Sequence, residues 1–142
     1  MALKKAYGGV IFDDNGRVLL REPKGHFDGY IWTFPKGRPI PGEDPREAAL
    51  RAVLEESGVD ATIIGQVPGS FEGGTTENFY YLMRPITTGH PLDDETEKVR
   101  WATPDKAKSL IALTKNPTGR ERDLEVLEAA VLAFSKAVVQ TP

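Results

Sequence analysis

The 142-residue chain has no cysteine, which excludes disulfides, thiolate metal sites and cysteine nucleophiles together. A strong excess of one charge is missing too. The 18 basic and 21 acidic side chains leave a formal net charge of −3, so bulk charge does not draw the chain to nucleic acid or an anionic membrane. No apolar run approaches the length that crosses a bilayer. The opening Met1 to Lys5 leads into a short apolar stretch with two glycines, unlike the hydrophobic region of a secretion signal. What remains is ordinary globular composition, 39% hydrophobic and 27% charged. A chain of this length buries roughly 70% of its unfolded surface, enough for a core without staples. The expectation is one soluble, cytoplasmic domain over residues 1–142, in an oligomeric state the sequence does not reveal.

Residues 6–12 and 17–21 read as paired strands, because Asp13-Asp14-Asn15-Gly16 carries the Asn-Gly hairpin signal. A third strand is expected at 31–34, followed by a loop rich in proline and glycine. A helix is expected over 45–57. Asp44 caps it, Pro45 suits its first position, Glu47 completes a capping box, and Gly58 ends it in a left-handed conformation. Strands follow at 61–67, 77–84 and 98–102, then a short helix from Thr103-Pro104 to about Ala112. A last helix over about 120–139 presents Leu124, Leu127, Val131, Phe134 and Val138 as one apolar stripe. This order predicts an α/β sandwich with helices on a mixed or antiparallel sheet.

At about 100° per residue, the 45–57 helix gathers Ala49, Leu50, Val53, Leu54 and Ser57 on a core face. Arg51, Glu55 and Glu56 fall on the other, around Ala48 and Ala52, which leave open space. Arg51 and Glu55 also fit a solvated i,i+4 ion pair. Carboxylates at a helix C-terminus oppose the macrodipole, however, and two adjacent ones favour a cation.

Gly37, Glu43, Arg51, Val53, Glu55, Glu56, Gly58 and Val59 match the spacing G-x5-E-x7-R-E-U-x-E-E-x-G-U, with U apolar. This resembles the Nudix box, and the flanking elements follow that family's order along nearly the whole chain. The resemblance implies a Nudix-type α/β/α sandwich, a mixed sheet with flanking helices. It implies a metal-dependent pyrophosphohydrolase in which water attacks phosphorus. Carboxylate and carbonyl oxygens suit Mg²⁺ or Mn²⁺. The implied ligands are Gly37 through its carbonyl, Glu43, Glu55 and Glu56, with Arg51 orienting the glutamates. The box departs at Ala52, where the family usually has a glutamate that serves as general base or helps hold metal-bound water. Either another acid then takes that role, for which the acidic loop before Trp101 offers Glu95 first and Glu97 second, or the metals alone suffice.

Trp32-Thr33-Phe34-Pro35-Lys36-Gly37 resembles the start of the box in diadenosine tetraphosphate hydrolases. Lys36 is then expected on an extra phosphate, assisted by Arg38 and Lys24, with Tyr80 under the base. Tyr80 and Tyr81 lie on opposite strand faces, so only one lines a pocket. The usual lysine before that strand is replaced by Thr76, which keeps nucleoside triphosphates, ADP-ribose and diphosphoinositol phosphates as alternatives. The expected partner is a small nucleotide or polyphosphate. A non-catalytic nucleotide-binding module is the other class of reading, motivated by Ala52. His26 and His90 read as solvent-facing loop residues, and Trp32 and Trp101 as core or pocket wall.

Overall fold

The computed structural model describes residues 3–140, with side-chain surroundings through residue 137. Among the described residues, seven strands and three α-helices follow one another, with a 3-10 segment at Lys24–Gly29: β1 (Lys4–Ile11), β2 (Val18–Pro23), β3 (Lys36–Gly37), α1 (Pro45–Ser57), β4 (Asp60–Gln66), β5 (Phe71–Glu72), β6 (Thr76–Thr87), β7 (Thr96–Ala102), α2 (Pro104–Ile111) and α3 (Pro117–Gln140). The main sheet runs β3-β1-β6-β4, with β5 added to β6, and a second ribbon pairs β2 with β7. β1 and β6 are parallel while the other pairs are antiparallel, so the expected mixed sheet with flanking helices is present.

The Asn15-Gly16 turn forms, with Asp13 N–H bonded to the Arg17 carbonyl at 2.9 Å. The hairpin does not continue as a ladder. Only Phe12 and Val18 bridge, after which β1 pairs with β3 and β6, and β2 with β7. The strand expected at 31–34 is likewise reduced to a single bridge between Thr33 and Arg21, and the ladder forms at Lys36–Gly37 instead. The two β1 glycines permit this layering. A Cβ on Gly8 would meet the Pro35 carbonyl, and one on Gly9 would lie 2.6 Å from Met83 Sδ and 2.9 Å from Val53 Cγ2.

β6 separates two apolar clusters, as strand alternation requires. On one side Tyr81, Met83, Ile11 and Leu19 pack with Ala49 and Val53 of α1. On the other, Tyr80 and Leu82 pack with Phe12, Phe34 and Trp32, and with Ile111, Val126 and Leu127 of α2 and α3. Leu124, Leu127, Val131 and Phe134 of the expected stripe all join this second cluster. Val138 lies outside the residues whose side chains are described. No described helix is long and apolar enough to cross a membrane.

Candidate functional site

Local chemistry positions α1. Asp44 accepts the Glu47 N–H at 2.9 Å, Glu47 accepts the Asp44 N–H at 3.2 Å, and Gly58 closes the helix at φ 70°. These are the contacts that satisfy free backbone groups at helix ends. With the ends set, Arg51 reaches both neighbouring acids. Its Nε and Nη2 bind Glu43 at 2.7 and 3.0 Å, and Nη1 binds Glu55 at 2.7 Å. Nη2 also donates to the Arg38 carbonyl at 2.8 Å. The Arg51 hydrogen bonds hold the Glu43 carboxyl below the usual glutamate range. Charge-assisted bonds of this kind fix orientation as well as adding energy.

Glu56 lies one turn beyond Ala52 and points inward. Its Oε1 accepts the Lys36 N–H at 3.1 Å and lies 3.7 Å from Arg21 Nε. Burial outweighs both cations and pushes the carboxyl up to about 7. The 93–95 loop brings two further acids: Glu56, Asp93 and Glu95 each offer an oxygen within 4.8 Å of the other two. The Asp93 N–H anchors this loop on the Glu55 carbonyl at 2.7 Å. Arg21 Nη2 and the Lys24 N–H hold the Glu95 carbonyl at 2.9 and 2.8 Å. Three converging carboxylates, two of them partly buried and one exposed, are a donor set suited to a hard divalent cation.

Glu95 also lines a cleft of about 500 Å³. Arg21, Lys24, Lys36 and Arg122 line the same cleft, with Tyr30, Phe27 and the Gly74–Thr76 turn. Arg122 is held by Asp123 at 3.1 Å, and Asp123 accepts the Thr33 hydroxyl at 2.6 Å. This pair is almost wholly buried, so Arg122 is fixed on the cleft wall. Burial first, then neighbouring Arg122, lowers the Lys36 amine below the usual lysine range. Four cations lining one cleft, two of them buried, focus positive potential on an anionic ligand.

The NUDIX domain model matches residues 2–129. The chain belongs to the NUDIX family. A curated relative from Bacillus subtilis, "Putative 8-oxo-dGTP diphosphatase", is 31% identical over 98 residues, covering 67% of this chain and 63% of that protein. The chain thus spans less than two thirds of that relative's length. Among solved structures, a NUDIX hydrolase from Nitrosomonas europaea superposes with a TM-score of 0.75 at 21% identity, covering 93% of this chain and 90% of the other. A C. elegans Ap4A hydrolase superposes with a TM-score of 0.70 at 22% identity, covering 94% and 98%. Both likenesses are of fold. NUDIX proteins generally depend on a divalent metal, and the carboxylate group has the chemistry to hold one.

Against this NUDIX frame, the expected site residues divide. Glu56 and Glu95 come together, and Lys36 reaches the cleft. Glu43 and Glu55 are instead bound by Arg51 and lie outside the carboxylate group. Gly37 lies in β3, where a Cβ would sit 3.1 Å from that of Ala52, so glycine lets the strand approach α1 without displacing its neighbour. Ala48 and Ala52 are therefore packed rather than beside open space, while Leu54, expected in the core, is exposed. Arg38 is exposed and contributes its carbonyl to Arg51. Tyr80 is corrected. It is completely buried between Phe34 and Phe71, so it presents no face to a base. Its hydroxyl is the one buried side-chain polar atom without a hydrogen-bond partner among the described residues. His26 and His90 are exposed, bonded to Glu22 and Thr87. Sequence reasoning did not single out Asp93, Arg21, Phe27 or Arg122. Asp93 shared the acidic loop with Glu95, but nothing in the local pattern marked Arg122, which reaches the cleft from α3.

Proposed function

We propose that the chain is a divalent-cation-dependent pyrophosphohydrolase acting on nucleoside polyphosphates. The observation that carries the reading is that Glu95 belongs both to the carboxylate group and to the cleft bearing Arg21, Lys24, Lys36 and Arg122. Metal chemistry and phosphate recognition then adjoin. Glu56, Asp93 and Glu95 would hold Mg²⁺ or Mn²⁺, which when bound supplies Lewis-acid stabilisation of phosphoryl oxygens. Glu43 and Glu55, held by Arg51 on α1, would support the cation's water shell from the helix side, with Gly37 letting β3 approach. Lys36 and Arg122 bind the phosphate chain and stabilise charge that grows on the leaving oxygen. Glu95, the most exposed of the three acids, receives the proton of the attacking water. A phosphorus–oxygen bond to that water forms as the bridging phosphorus–oxygen bond breaks.

Within this class, dinucleoside polyphosphates such as diadenosine tetraphosphate are the preferred substrate. The support is the Trp32 to Gly37 segment with Lys36 on the cleft, and a row of cations suited to more than two phosphates. Because the carboxylate group forms without any acid at position 52, Ala52 does not favour a non-catalytic module. A panel of diadenosine tetraphosphate, nucleoside triphosphates, ADP-ribose and a diphosphoinositol phosphate, with Mg²⁺ or Mn²⁺, tests the reading. Metal-dependent release of ATP and AMP from diadenosine tetraphosphate is expected. Nucleotide binding without turnover of any member would overturn it.

A further inference from the structure

Phe27 is 76% exposed, more than any other large hydrophobic side chain among the described residues, and it lines the cleft. Its backbone setting is unusual. His26 and Asp28 on either side have φ of 50° and 55°, and they are the only described non-glycine residues with positive φ. Side chains rarely adopt that region unless surrounding contacts impose it. Here they do: the Lys115 N–H bonds the Gly29 carbonyl at 2.8 Å, and Asn116 Nδ2 bonds both the carbonyl and Oδ2 of Asp28 at 3.3 Å. At the other end, the Lys24 N–H bonds the Glu95 carbonyl at 2.8 Å. The segment carrying Phe27 is thus tied to α3's approach on one side and to the carboxylate loop on the other.

An aromatic ring in water beside a row of cations gains most from a ligand that is flat and apolar at one end and anionic at the other. We infer that Phe27 is the stacking platform for the substrate's nucleobase, with the phosphate chain lying among Lys24, Lys36 and Arg122 beside Glu95. This rests on the polyphosphate reading of the cleft and adds its specificity element. A nucleobase offers Phe27 a π face, whereas an inositol ring offers hydroxyls and no face. The platform therefore selects nucleotides over diphosphoinositol phosphates.

The test is calorimetric binding of a non-hydrolysable α,β-methylene analogue of ATP and of inorganic tripolyphosphate, both with Mg²⁺. The preference for nucleotide over tripolyphosphate should fall about tenfold in F27A, the size expected for one lost base–aromatic stack. F27L, which keeps apolar bulk but not the ring, should fall alike, and F27Y should restore the preference. That rescue separates stacking from a merely structural role. An unchanged preference in F27A, equal losses for both ligands, or no nucleotide binding by the native chain would overturn the inference. Turnover is not needed for this readout, so absence of hydrolysis across the substrate panel would sink the enzymatic reading separately.

Discussion

Replacing Glu56 by glutamine should stabilise the metal-free protein at neutral and alkaline pH while removing its function. Burial moves this carboxyl from 4.5 to about 7. Below pH 4.5 it is protonated in the folded and unfolded states alike and contributes no pH dependence. Between 4.5 and 7 the folded state keeps a proton that the unfolded chain has released, so stability falls as pH rises, and it levels off above 7. At about 1.4 kcal/mol per pH unit, the full loss is roughly 3 kcal/mol. The glutamine carbonyl can still accept the Lys36 N–H, and the attraction of Arg21 at 3.7 Å, which opposes burial, is already contained in the net shift. Urea unfolding in EDTA, from pH 4 to 8, should show E56Q near the native chain at pH 4 and roughly 3 kcal/mol more stable at pH 8. Added Mg²⁺ should stabilise the native chain and do much less for E56Q, whose turnover should be lost. A stability difference that is constant with pH would refute the buried-carboxylate argument, and undiminished turnover would refute the metal role.

The other perturbations address single contacts. Y80F removes a hydroxyl that is buried without a partner, so thermal unfolding should show a neutral or slightly stabilised protein, by up to about 1 kcal/mol. Its affinity for nucleotide should be unchanged; a large loss would restore Tyr80 to the binding site. R51A breaks partly exposed ion pairs with Glu43 and Glu55, which cost only about 0.2–1 kcal/mol each in stability. Its kcat should nevertheless fall more than tenfold, because both carboxylates lose their orientation; a fall in stability with intact kcat would reverse that assignment. E95Q should lower kcat by roughly a hundredfold at saturating Mg²⁺, the ordinary range for a lost general base, and should also weaken Mg²⁺ binding because Glu95 belongs to the carboxylate group. A normal rate would remove Glu95 as proton acceptor.

Local signals were legible where the chain satisfies itself within a few residues. Asp44, Pro45, Glu47 and Gly58 bound α1 as expected, because caps are short-range hydrogen-bond problems. Arg51 meeting Glu55 follows from helical periodicity, and its reach to Glu43 from the spacing of the box. The burial of the α1 face was less legible. Periodicity placed Leu50 and Leu54 inward with Ala49 and Val53, yet the closely packed side is set by Ala48, Ala49, Ala52 and Val53. Small residues there let β3 approach, as Gly37 shows.

From the sequence alone came the family spacing, α1 with its caps, the Asn15-Gly16 turn, and the acids Glu56 and Glu95. Each depends on bonds between near neighbours or on a recurring pattern. The tertiary structure alone decided that β1 and β2 part after the turn, because ladder pairing depends on which distant strand, β6 or β7, is available to each edge. It also closed both faces of β6: alternation separates Tyr80 from Tyr81 but does not say whether either side stays open, and packing buried both. Arg122 and Phe27 reach one cleft from segments nearly a hundred residues apart, a meeting set by how α3 packs on the sheet and not by any local preference.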